Sequence, residues 1–303
     1  MGHGRWSGSD WRTWSARNAE GRSTAEIFTS RGLPPDYDPA RIRMRESRDG
    51  PDNAASTPIV LASDVTGSLG EVARIQMQDG LGVLVSEILA RKPVSDPHIM
   101  AMAVGDATCD QAPLQATQFE ADIRLAEQMR TLFVEGGGGG NGGESYALPW
   151  LFCGTKTATD SFEKRGKRGY LFSFGDEPIL PTVTREEARR FLGIGLEHDV
   201  TAAACLGLAQ RSYDVFHVIL REGFSAQETG FRAAMRTWQP LLGRRLLVLD
   251  DYRNLAELVV SAIQVAEGVD PEEAASSWTS ASAAASVRAA LAPPRPNLWT
   301  LFR

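Results

Sequence analysis

PIVLASDVTGSLG, residues 58–70, is the stretch that decides the fold. Its apolar run Ile59-Val60-Leu61-Ala62 has the shortness and lack of alternation of a strand buried on both faces. The run enters Asp64-Val65-Thr66-Gly67-Ser68, after which Val72, Ile75, Leu81, Leu84, Val85, Ile88 and Leu89 recur at roughly helical spacing. The reading is strand, loop, helix. In open α/β sheets, ligands bind beyond the carboxyl ends of the strands, where this loop lies. Its alternate positions offer one carboxylate and two hydroxyls, from Asp64, Thr66 and Ser68. Such hard oxygen donors suit Mg2+ or Mn2+, which take octahedral oxygen coordination and keep places for water or a partner.

Outward from this stretch, strand and helix signals alternate. Strands are predicted at Ile59–Ser63, Ile99–Val104, Thr131–Val134, Gly169–Phe174, Val215–Leu220 and Leu246–Leu249. Helices are predicted at Glu71–Ala90, Glu120–Met129, Glu144–Cys153, Arg185–Leu192, Val200–Gln210, Ala226–Trp238 and Leu255–Val265, the last with Asn254 as its N-cap. The alternation predicts an α/β fold, a doubly wound, mostly parallel six-stranded sheet with helices on both faces. This domain spans 58–267. Residues 1–57, broken by Pro34, Pro35, Pro39 and Pro51, read as a partly extended N-terminal arm. Residues 268–303, rich in Ala, Ser and Pro, read as a short helix over about 271–291 and a tail ending in Trp299, Leu301 and Phe302.

Composition narrows the class. Net charge is −6, and the arm carries nine Arg against eight acidic residues, so no basic footprint for nucleic acid is expected. No apolar run approaches the ~20 residues of a membrane span. Cys109, Cys153 and Cys205 lack CxxC spacing, which speaks against a zinc cluster and fits a reducing cytoplasm. His98, His198 and His217 stand apart from one another and read as structural. The charged run Glu163–Arg168 reads as a solvated turn.

Two further loops carry chemistry. Gly136–Gly140, Asn141, Gly142 and Gly143 place seven glycines in eight positions, followed by Glu144 and Ser145. Glycine permits backbone conformations closed to other residues and close approach to a ligand. The segment FSFGDEP, 172–178, ends a strand with Asp176 and then Glu177. Asp106 and Asp110 fall at the same edge of the sheet and read as an acidic rim or as turn-forming residues, the plainer role of short acids.

The first loop, the Gly-rich second loop, the acidic third loop and the closing LLVLDDYRNLAELVVSAI together resemble the von Willebrand factor A domain. MRESRDG, DVTGS, GDAT with CDQAPLQ, GGGGGNGGESY and GDEP are similar to an intracellular bacterial and phage subgroup of it. The resemblance implies a metal-ion-dependent adhesion site, with Asp-x-Thr-x-Ser in place of Asp-x-Ser-x-Ser. It implies a second-loop ligand at Glu144 or Ser145, where the family presents Thr, and a third-loop acid at Asp176, displaced by one position from the family pattern, with Glu177 in reserve. The implied job is non-catalytic: a bound Mg2+ (or Mn2+) recognises an Asp or Glu of a partner protein. By family analogy that partner is an AAA+ ATPase or another member of a larger assembly.

Two alternatives compete. A Mg-dependent phosphoryl or nucleotide enzyme needs a second acid two residues after Asp64, where Thr66 stands, or a Gly-Lys-Ser/Thr after the glycines, which is missing. A structural assembly protein would join copies into a homo-oligomer through its N- and C-terminal arms.

Overall fold

The computed structural model describes residues 7–18, 28–66, 81–134 and 142–292. Strands are β1 (Arg45–Ser47), β2 (Thr57–Asp64), β3 (Pro97–Val104), β4 (Leu114–Ala116), β5 (Thr157–Thr159), β6 (Gly169–Gly175), β7 (Thr182–Val183), β8 (Val200–Thr201), β9 (Tyr213–Leu220) and β10 (Leu246–Leu249). The α-helices are α1 (Gly8–Asn18), α2 (Leu81–Arg91), α3 (Arg124–Arg130), α4 (Ala147–Lys156), α5 (Asp160–Arg165), α6 (Arg185–Leu192), α7 (Ala202–Ala209), α8 (Glu228–Leu242), α9 (Leu255–Ala266), α10 (Pro271–Ser276) and α11 (Ala281–Leu291).

Six strands form the central sheet in the order β10-β9-β6-β2-β3-β4, all parallel except β4, which runs antiparallel to β3. The chain steps outward from β2 to β3 and β4, then returns to β6 and steps the other way. This is the doubly wound α/β arrangement, and the order reverses between β2 and β6. Every residue of β2 and β6 is buried because helices cover both faces. Side chains alternate across a strand. Ile59 and Leu61 therefore pack with Leu84 and Ile88 of α2 and Leu258, Val259 and Ile263 of α9. Val60 and Ala62 face Trp150 and Leu151 of α4, Leu206 of α7 and Trp238 of α8.

Most predicted elements appear, and the departures have local causes. Thr131–Val134 is not a strand. The Thr131 hydroxyl turns back to the Gln128 carbonyl, and both backbone groups of Phe133 pair with the Gln115 side-chain amide instead of a ladder. The sixth strand is β4, too short for its alternation to show. The helix expected from Glu144 begins at Ala147, because Glu144 pairs its backbone with the 178–180 segment (N–H to Pro178 O, 2.9 Å; Leu180 N–H to its own carbonyl, 3.1 Å). Val200 and Thr201 join β7, so α7 starts after Thr201, whose hydroxyl caps the Ala204 N–H. Asn254 does not cap α9 with its side chain, which donates to Ser282 and Ser286 of the segment around α11. Residues 71–80 of the predicted first helix lie outside the described residues.

The flanking segments have packed parts. β1 pairs with β5 away from the central sheet, and the buried Arg45 guanidinium donates to the carbonyls of Ala116 (2.9 Å) and Asp36. The helix expected over 271–291 is two helices, broken where Trp278 donates to Ser261 and lies under the Arg91 guanidinium. Trp299, Leu301 and Phe302 lie outside the described residues. Among the described residues, no helix is long and apolar enough to cross a membrane.

Candidate functional site

Asp64 closes β2 at the point where the strand order reverses, and it is fully buried. Its Oδ1 accepts the Thr66 backbone N–H at 2.8 Å and the Thr66 hydroxyl at 2.6 Å. Its Oδ2 accepts the Tyr146 hydroxyl at 2.5 Å. Burial pushes the Asp64 carboxyl above the usual range, and these donors pull against that shift.

Glu144 arrives from the second loop, held by its backbone pairing with Pro178 and Leu180. Only 1% of it is exposed, yet neither carboxylate oxygen has a hydrogen-bond partner. Burial, and then repulsion from Asp64, Glu177, Asp106 and Asp110, raises its pKa to about 10. Glu177 is raised for the same reasons, burial first and then Asp64 and Asp106. The leading charged neighbours of Glu144 are thus all acidic. A bare, buried carboxylate among other carboxylates is the arrangement that a cation relieves.

The other residues singled out in the sequence take different roles. The Ser145 hydroxyl accepts the Ala107 N–H at 3.0 Å, tying the second loop to the turn after β3. Asp176 follows β6 and is buried, and its carboxylate accepts the Phe224 N–H at 2.5 Å. Its carbonyl accepts the Ser225 hydroxyl, so the third loop is fastened to the loop after β9. Asp106 accepts from the Thr108 N–H and hydroxyl, and Asp110 from the Asp106 N–H, which are turn-forming contacts. Ser68 and Gly136–Asn141 lie outside the described residues.

Asp64, Thr66, Glu144, Ser145 and Asp176 therefore gather at one edge of the sheet. Among the described residues, no three His, Cys, Asp or Glu side chains converge closely enough to hold a metal ion by themselves. Hydroxyl and water oxygens would have to complete any coordination, as the mixed donor set of the first loop allows. Tyr146 is the residue that sequence reasoning missed, since it falls inside the predicted helix Glu144–Cys153 with no pattern that points it at Asp64. His98 and His217 are structural. His98 bonds Ser47, with burial holding its pKa down to about 4, and His217 bonds Ser173 and stacks on Trp238.

No family model matches the chain, and no curated protein matches it. Among solved structures it is similar to the pilus adhesin SpaC from Lactobacillus rhamnosus GG in an open conformation, with TM-score 0.47, 9% identity, and coverage of 72% of this chain and 31% of that one. It is also similar to proximal thread matrix protein 1 from the mussel byssus, with TM-score 0.39, 10% identity, and coverage of 69% and 47%. The chain thus spans about a third of the adhesin's length and under half of the matrix protein's. Likenesses at these scores carry no argument about function.

Proposed function

We propose that this chain is a von Willebrand factor A-like, metal-dependent protein-binding module. Its Mg2+ (or Mn2+) is held by Asp64, Thr66 and Ser68, helped by Glu144 and, on the third loop, by Asp176. The observation that carries this reading is Glu144, a buried carboxylate with no partner beside the engaged Asp64. Its oxygens are bare, whereas the Ser145 hydroxyl is already committed to Ala107, so Glu144 is favoured as the second-loop ligand.

The same electrostatics describe the partner contact. Without a cation, the edge around Glu144, lined by Asp64, Glu177, Asp106 and Asp110, offers an acidic group no positive charge. A divalent ion supplies positive charge and an open coordination place, which an Asp or Glu of a partner can fill. Binding of such a partner is then switched by the metal. The class of partner is a protein within a larger assembly, an AAA+ ATPase or a second copy of the chain. Cys109, Cys153 and Cys205 are not disulfide-bonded to one another, which fits a cytoplasmic setting.

The test is affinity capture from native lysate in Mg2+ and in EDTA, with the wild type and Asp64→Ala. A partner lost both in EDTA and in the variant supports the reading. A folded protein that keeps the same partners under all conditions refutes it.

A further inference from the structure

We infer that Tyr146 is the positioning residue of the cation site, its hydroxyl locking the Asp64 carboxylate in the orientation that a metal ion meets. This rests on the metal-binding reading above.

The Asp side-chain torsion next to the carboxylate is broad and roughly two-fold, so nothing intrinsic to Asp64 fixes which oxygen points where. Here both oxygens are fixed. Thr66 takes Oδ1 with two donors, and Tyr146 takes Oδ2. Thr66 follows Asp64 by two residues in the same stretch of chain. Tyr146 comes from the second loop and ties Asp64 to a different part of the fold.

The phenol is itself held from several sides. It is fully buried, with its ring 5.3 Å from Trp238 of α8 and 5.1 Å from His217 of β9. His217 stacks on Trp238 at 3.5 Å and bonds the Ser173 hydroxyl of β6. The hydroxyl lies over Gly175, where an added Cβ would stand 1.8 Å from it. Position 175 has to lack a side chain for the phenol to reach Asp64.

Tyr146 opens the first turn of α4 with helical dihedrals (φ −61°, ψ −13°) and makes no side-chain cap bond. Its hydroxyl is spent on Asp64 instead. A residue that only filled the core would not need a hydroxyl aimed at the site carboxylate.

The experiment compares Mn2+ dissociation constants, read from the electron paramagnetic resonance of free Mn2+, in the full chain. Tyr146→Phe keeps the ring packing and removes the bond to Asp64. Gly175→Ala crowds the same hydroxyl from the other side, and it gives the answer independently should Tyr146→Phe not fold. Tyr213→Phe removes another buried phenol bond, to Thr157, and reports the general cost of such a change. The expected result is a loss of Mn2+ affinity of about 10- to 100-fold in Tyr146→Phe and in Gly175→Ala, the size typical of residues that orient a metal ligand. Tyr213→Phe stays at the wild-type value. Wild-type affinity in folded Tyr146→Phe, with Mn2+ bound normally by the wild type, overturns the positioning role and leaves the metal reading intact. A wild type that takes up no Mn2+ overturns both.

Discussion

Glu144→Gln should stabilise the protein in chelator and weaken it in Mg2+, and the sign reversal is the informative part. In the unfolded chain this carboxyl releases its proton near its ordinary value of 4.5, whereas in the fold it holds the proton up to about 10. Between those values the folded state binds more protons than the unfolded one, so stability falls as pH rises. Below the lower value the group is neutral in both states and costs nothing. At ~1.4 kcal/mol per pH unit, the penalty reaches roughly 3 kcal/mol near neutral pH. Gln is never charged and escapes it. In EDTA the variant should therefore exceed the wild type by roughly 3 kcal/mol near neutrality, with the gap shrinking toward acid and growing toward mild alkali. In saturating Mg2+ the wild type gains the free energy of binding, which the variant loses with its ligand. Urea unfolding followed by circular dichroism, with EDTA or Mg2+ at several pH values, reads both. A variant less stable than the wild type in EDTA, or a gap that does not grow with pH, would mean that Glu144 is held ionised by a partner within the protein.

Further consequences can be checked in the same way. His98 is neutral and buried, with its pKa lowered to about 4, and His217 is lowered well below its ordinary value, both by desolvation. The unfolded chain protonates them first, so stability should fall as pH drops below their ordinary value of 6.5. His98→Gln should flatten that decline in urea titrations between neutral pH and the acid limit. Ser145→Ala removes the acceptor of the buried Ala107 N–H and should cost about 1 to 3 kcal/mol while leaving Mn2+ affinity unchanged. Arg45→Met should cost a similar roughly 1 to 3 kcal/mol by leaving the Ala116 carbonyl without its donor. Proteolysis of the arm around β1 should accelerate in that variant.

The fold was legible because the doubly wound sheet writes itself in apolar runs. Ile59–Ala62 and Leu171–Phe174 are buried on both faces, and a strand with no solvent side leaves an unbroken hydrophobic signature. β4 was not legible, being three residues long, and Thr131–Val134 imitated a strand while its backbone was satisfied by Gln115. Asn254 carried the composition of a cap, but its amide found hydroxyls of a segment distant in sequence, which no local pattern reports. In the site, Asp64 and Thr66 were readable because strand, loop and helix set their place from neighbouring residues alone. The bare state of Glu144 was not, since it depends on the backbone pairing with Pro178 and Leu180 that removes it from the helix. Tyr146 left no trace in spacing. Its role comes from a bond to a residue on another loop and from the absent side chain at Gly175.

The central claim is that Asp64 and its neighbours hold a divalent cation. Isothermal titration of the full chain with Mg2+, for the wild type and Asp64→Ala, tests it most directly. The account predicts one ion per wild-type chain and none in the variant, with the variant still folded by circular dichroism. A folded wild type that takes up no Mg2+, or an Asp64→Ala variant that binds it with unchanged affinity, would contradict it.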